Sequence, residues 1–86
     1  MRLKIIDSKG HSIELDCNPK DTLSTLMGNY ETKYKEAHKN EEIRSITFTY
    51  GGEAFTSEDY DSSLEDLNLE DGCLITSSFF YNGGLI

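Results

Sequence analysis

The chain has 86 residues, 36 % of them apolar and 28 % charged, which bounds it to one globular domain with a single small core. Sixteen acids against eight bases give a formal charge of −8 and a pI near 4.5, so non-specific nucleic-acid binding and docking on anionic membranes, which need a cationic face, are argued against. No stretch approaches the roughly 20 apolar residues that span a bilayer, and the start at Met1-Arg2-Leu3-Lys4-Ile5-Ile6 is too short for a secretory signal, so cytoplasm or nucleus is the expected location.

Residues 1 to 17 read as a hairpin. Leu3 and Ile5 alternate with Arg2 and Lys4, and Ile13, Leu15 and Cys17 alternate with Ser12, Glu14 and Asp16. A period of two sends one set to a buried face and the other to water. Asp7-Ser8-Lys9-Gly10 supplies the turn. Asn18-Pro19 then stops the second strand, and Asp21 or Thr22 offers an oxygen to the free amides of a helix. Leu23, Leu26, Met27, Tyr30 and Tyr34 form an apolar stripe at helical spacing. Lys33, Lys35 and Lys39 suit the negative end of its dipole, and Asn40 is the expected stop. Gly28 inside the stripe costs about 1 kcal/mol against Ala, for which close packing is the one reason the sequence offers.

Ile46, Phe48 and Tyr50 alternate with threonines as a third strand, and Gly51-Gly52 turns the chain into a short fourth, Glu53-Ala54-Phe55. Residues 56 to 63 are polar and acidic and predict a solvated loop. Leu64, Leu67 and Leu69 form a tight apolar turn, and residues 73 to 81 are the last strand, imperfect in alternation at Thr76-Ser77-Ser78. One helix across one face of a mixed sheet of four to five strands buries both apolar sets. The expected fold is therefore α+β, a β-grasp domain over residues 1–81 with a tail at 82–86.

At these intervals the residues resemble the ubiquitin-like family over nearly the whole chain. Leu3, Ile5, Ile13, Leu15, Cys17, Pro19, Asp21, Thr22, Leu23, Leu26 and Tyr30 match its first half. Phe48, Tyr50, Gly52 and Phe55 match its third-strand segment, residues 63–69 its late turn, and Gly83-Gly84 its C-terminal diglycine. The SUMO branch looks nearest, through Leu23-Ser24-Thr25-Leu26-Met27, Tyr30, Leu67-Asn68-Leu69-Glu70-Asp71, and Ile75 eight residues before Gly83. SUMO proteins usually carry a disordered arm, whereas the first strand is expected here to begin at Met1. The chain also departs from SUMO in carrying Asp16, Asn18 and Thr25 where SUMO is usually basic, with Lys33 keeping its charge. It departs from ubiquitin at the receptor patch, which would here be Ser8, Thr49 and Ser78.

The resemblance implies a modifier precursor rather than an enzyme. A processing cysteine protease would cut between Gly84 and Leu85, and activating and conjugating enzymes would pass the Gly84 carboxylate to lysines of target proteins. Gly83 and Gly84, lacking Cβ atoms, can thread a narrow channel. Phe80, Tyr81 and Asn82 would help those enzymes recognise the tail; three aromatics in a row at 79–81 cannot all face inward. Ile13, Leu15, Cys17, Leu26 and Lys33 would offer an edge to SUMO-interacting-type peptides, with a preference for less acidic peptides than SUMO takes. The alternatives are an interaction domain of the same fold that is never conjugated, and a sulfur carrier, against which Leu85-Ile86 counts. No cofactor, metal, nucleic acid or membrane partner is expected, and the chain is expected to be a monomer. His11 and His38 are far apart in sequence and lack the spacing of a catalytic or metal site. The acids of the second half read as a solvated face, and Cys17 and Cys73 as free thiols without nucleophilic character.

Overall fold

The structure, a computed structural model, describes residues 1–38 and 43–81, with side chains described for all of these except 43, 44, 80 and 81. Strand β1 spans Arg2–Asp7, β2 Ser12–Asp16, helix α1 Leu23–Ala37, β3 Ile43–Tyr50, β4 Glu53–Ala54 and β5 Leu74–Tyr81. They form one mixed sheet in the order β2-β1-β5-β3-β4. Strand β5 lies parallel to β1, and every other neighbouring pair is antiparallel. This is the expected β-grasp arrangement.

The period-two pattern lands as anticipated. Leu3, Ile5, Leu15, Phe48 and Ile75 are buried from the sheet side, and Leu23, Leu26, Tyr30 and Tyr34 meet them from the helix. Leu64 and Leu69 close one end of the same core, with Leu67 partly buried against it. Gly10 and the Gly51-Gly52 pair hold positive φ, which lets the two hairpin turns close without a Cβ clash.

Of the two candidates for the start of α1, Thr22 is the cap: its hydroxyl accepts the Thr25 amide at 3.3 Å. Asp21 instead accepts the Asn18 amide and steadies the preceding turn. The helix ends at Ala37 with His38 as its cap, whose amide donates to the Tyr34 carbonyl. This is earlier than the expected stop at Asn40, which lies outside the described residues.

Residues 56–63 bury no side chain, as expected of a solvated segment, but they are more ordered than a plain loop. They hold a short 3₁₀ turn at Ser57–Asp59. The carbonyls of Ser62 and Tyr60 accept the amides of Leu23 and Ser24 at 3.0 and 3.1 Å. Two free amides of the helix start are thus satisfied by a segment far along the chain. The break in alternation at Ser77 also has a reason: this serine faces inward, fully buried, and shares a 2.8 Å hydrogen bond with the Tyr30 hydroxyl.

Close packing does not explain Gly28. It is exposed, and a Cβ built on it would meet nothing within 4 Å. Gly28→Ala should therefore raise stability by about 1 kcal/mol, read as a higher urea midpoint with an unchanged denaturant slope.

Candidate functional site

The edge residues anticipated from the sequence divide into floor and rim. Leu15 and Leu26 are core side chains, 9 % and 1 % exposed, so they support the edge from beneath. Ile13 and Cys17 are half-buried and Lys33 is exposed. Ile13 and Lys33 border one shallow concavity with Ser12, Glu14 and Asp16. Among the described residues β2 pairs with β1 alone, so its other side is an open sheet edge.

The acidity of this edge is partly answered locally. The Arg2 guanidinium grips Asp16 through Nε and Nη2 at 3.0 and 3.1 Å and reaches Glu14 at 3.3 Å. The hydrogen bond and charge of Arg2 hold Asp16 below the usual carboxylate range. Two of the positions that depart from SUMO serve local structure: Thr25 joins the helix cap, and Asn18 accepts the Lys20 amide at 2.9 Å. Cys17 exchanges backbone hydrogen bonds with Met1, and burial pushes its thiol pKa up, which leaves it a poor nucleophile. Cys73 is half-buried, its sulfur 3.1 Å from the Tyr50 hydroxyl and accepting the Glu70 amide.

At the other end, Phe79 belongs to the interior, its ring 4.6 Å from Tyr34 and 6.1 Å from Tyr30. The backbones of Phe80 and Tyr81 pair with Ser45 and Ile43. The roles expected of their side chains, and of Asn82, Gly83, Gly84 and Leu85, lie outside what the structure describes. On the outer face of the sheet, Ser8 and Ser78 are exposed and Thr49 partly so, which makes that region hydroxylic where ubiquitin's receptor patch is apolar.

A polar cluster that sequence reasoning did not assemble sits at the C-terminal end of α1. Asp7, treated as a turn residue above, closes β1 with its carboxylate buried. Its Oδ1 accepts the amides of Lys9 and His11 at 2.9 and 2.8 Å. Its Oδ2 accepts the Tyr34 hydroxyl at 2.9 Å and lies 3.2 Å from His11 Nδ1. His38 stacks on Tyr34 at 4.2 Å and lies 4.6 Å from His11, between ring centroids. One signal was available: positions 3, 5 and 7 share the inward register of β1. Burial would raise the Asp7 pKa, but the His11 amide, the Tyr34 hydroxyl, the His11 ring and the Lys9 amide together hold it below its ordinary 3.8.

Among solved structures the chain is similar to the ubiquitin of Caldiarchaeum subterraneum, with 25 % identity, a TM-score of 0.72, and coverage of 98 % of each chain. The fold is ubiquitin-like. That likeness supports a place in the ubiquitin-like family at large. No family model and no curated protein matches the chain in sequence.

The Asp7 cluster yields a pH test with a definite sign. A carboxylate whose folded pKa is depressed stabilises the fold above its unfolded pKa, and that contribution is lost as pH falls through the folded value. Asp7→Asn should cost about 2–3 kcal/mol at pH 7, the scale of buried hydrogen bonds to a charge. Chemical denaturation from pH 7 downward should show the gap between variant and parent narrowing below the ordinary value of 3.8.

Proposed function

We propose that this chain is a ubiquitin-like protein modifier precursor of SUMO-like type, acting in cytoplasm or nucleus as the substrate of a conjugation cascade and not as an enzyme. The observation that carries the reading is the Gly83-Gly84 pair placed two residues after β5, at the end of a ubiquitin-like domain. In this reading a cysteine protease hydrolyses the Gly84–Leu85 peptide bond and frees the Gly84 carboxylate. ATP adenylates that carboxylate with release of pyrophosphate, a cysteine thiolate displaces AMP to form a thioester, and a target lysine amine displaces the thiol to leave an isopeptide bond. The diglycine suits each transfer because it presents an acyl carbon with no neighbouring side chain.

Incubation with ATP and a lysate of the source organism, followed by intact-mass measurement, tests this directly. The expected result is loss of Leu85-Ile86, then thioester adducts that Gly84→Ala abolishes. Absence of both cleavage and ATP-dependent adducts would replace the modifier with an interaction domain that is never conjugated. A thiocarboxylate mass at Gly84 would replace it with a sulfur carrier.

The open edge of β2 supports a second element of the proposal, capture of an extended peptide as an added strand. Glu14 and Asp16 stand among Arg2, Lys4 and Lys33 around this concavity, and Asp16 takes a position that is usually basic in SUMO, so the edge should favour peptides less acidic than those SUMO prefers. Titration of such peptides into labelled protein should move the amides of residues 12–17 and of α1 near Lys33. Movement elsewhere, or tighter binding of acid-rich peptides, would remove this element.

A further inference from the structure

His11 and His38 are 27 positions apart, yet the fold sets their ring centroids 4.6 Å from one another. They come from the turn after β1 and the cap of α1, two segments brought together by the core beneath them. We propose that the pair binds a divalent first-row transition metal ion, of the Cu(II), Ni(II) or Zn(II) class, through Nε2 of His11 and a ring nitrogen of His38.

The first support is the backing of His11. A carboxylate can only accept, so the Asp7 contact places the proton on Nδ1 and leaves the Nε2 lone pair available in the neutral ring. A buried carboxylate behind the far nitrogen is how metal-binding histidines are oriented and made more basic. Asp7 is itself held by two amides and the Tyr34 hydroxyl, so it does not swing away.

The second support is spacing. A metal–nitrogen bond of about 2.0–2.1 Å puts each imidazole centre roughly 3 Å from the ion, so two adjacent ligand rings sit roughly 4.5–5 Å apart. The observed separation of 4.6 Å falls in that range. The two ring planes stand 33° apart and His38 also stacks on Tyr34 at 4.2 Å, so binding requires the His38 ring to turn out of that stack and aim a nitrogen at the shared position. The His11 side chain is 48 % exposed, which gives an ion access from solvent.

No group of three or more His, Cys, Asp or Glu positioned to hold a metal occurs among the described residues. The described residues supply two imidazoles, the remaining positions being filled by water or another donor, and imidazole ligation selects for the borderline metals named above. This inference is independent of the modifier reading, since it involves no residue of the tail.

Labelled protein at pH 7.5 is titrated with CuCl2, and ZnCl2 binding is measured by calorimetry. Expected are one ion per chain and paramagnetic broadening centred on residues 7–11 and 34–38. His11→Gln and His38→Gln should each weaken binding by about tenfold or more, since losing a ligand costs at least as much as losing its backing partner. Spectra of the variants without metal confirm that they stay folded. Broadening centred on the Glu14 and Asp16 carboxylates, affinity unchanged in either variant, or no saturable binding would each overturn the assignment.

Discussion

The structure depends on two tyrosine hydroxyls that reach from the helix to one rung of the sheet. Asp7 and Ser77 are register partners on the parallel β1–β5 ladder. Tyr34 donates to the first, and Tyr30, one helical turn earlier, is bonded to the second at 2.8 Å. Both partners are buried, so leaving either unpaired would cost more than the hydrogen bond itself contributes. The pairing sets the depth and rotation of α1 on the sheet more narrowly than apolar contact does. Phe48 packs against Tyr30 at 5.4 Å, and Phe79 packs against both rings. A slip of β5 by one residue would turn Ser77 to water and strand the Tyr30 hydroxyl.

Much of this fold was legible because its apolar residues keep simple periods. Leu3 and Ile5, the helical stripe from Leu23 to Tyr34, and Ile46, Phe48 and Tyr50 all landed on the side that their spacing predicts. What escaped was polar and non-local. Ser77 looked like a fault in its strand, since its partner stands 47 positions earlier. Asp7 looked like a turn residue because Ser8, Lys9 and Gly10 follow it. The docking of residues 56–63 rests on backbone carbonyls, which every residue has and which leave no mark in composition.

The functional surfaces divide in a similar way. The proposed role of Gly83-Gly84 rests on the sequence, and the pair lies outside the described residues. The residues expected at the β2 edge divide in the structure: Leu15 and Leu26 share the inward period and form the floor, while Ile13 and Lys33 form the rim. The charge there was legible as a count, not as an arrangement. Arg2 sits across from Asp16 in the hairpin register, and that placement converts part of the acidity into a surface clasp. His11 and His38 were set aside because spacing in sequence is a poor guide when two turns meet only in the folded state.

Strand β5 carries a consequence for how the protein comes into being. Among the described residues it is the last strand in sequence and the middle one in space, flanked by β1 and β3. During synthesis the β1–β2 hairpin and α1 emerge well before the strand that joins them to β3 and β4. The two halves of the sheet then have no common ladder, and Ile75 is missing from the core. Cooperative folding must wait for residues 74–81, a high contact order that slows folding and places it after translation of nearly the whole domain. A ribosome that stalls earlier therefore releases an unfinished sheet with exposed edges, a substrate for chaperones and proteases rather than a usable protein.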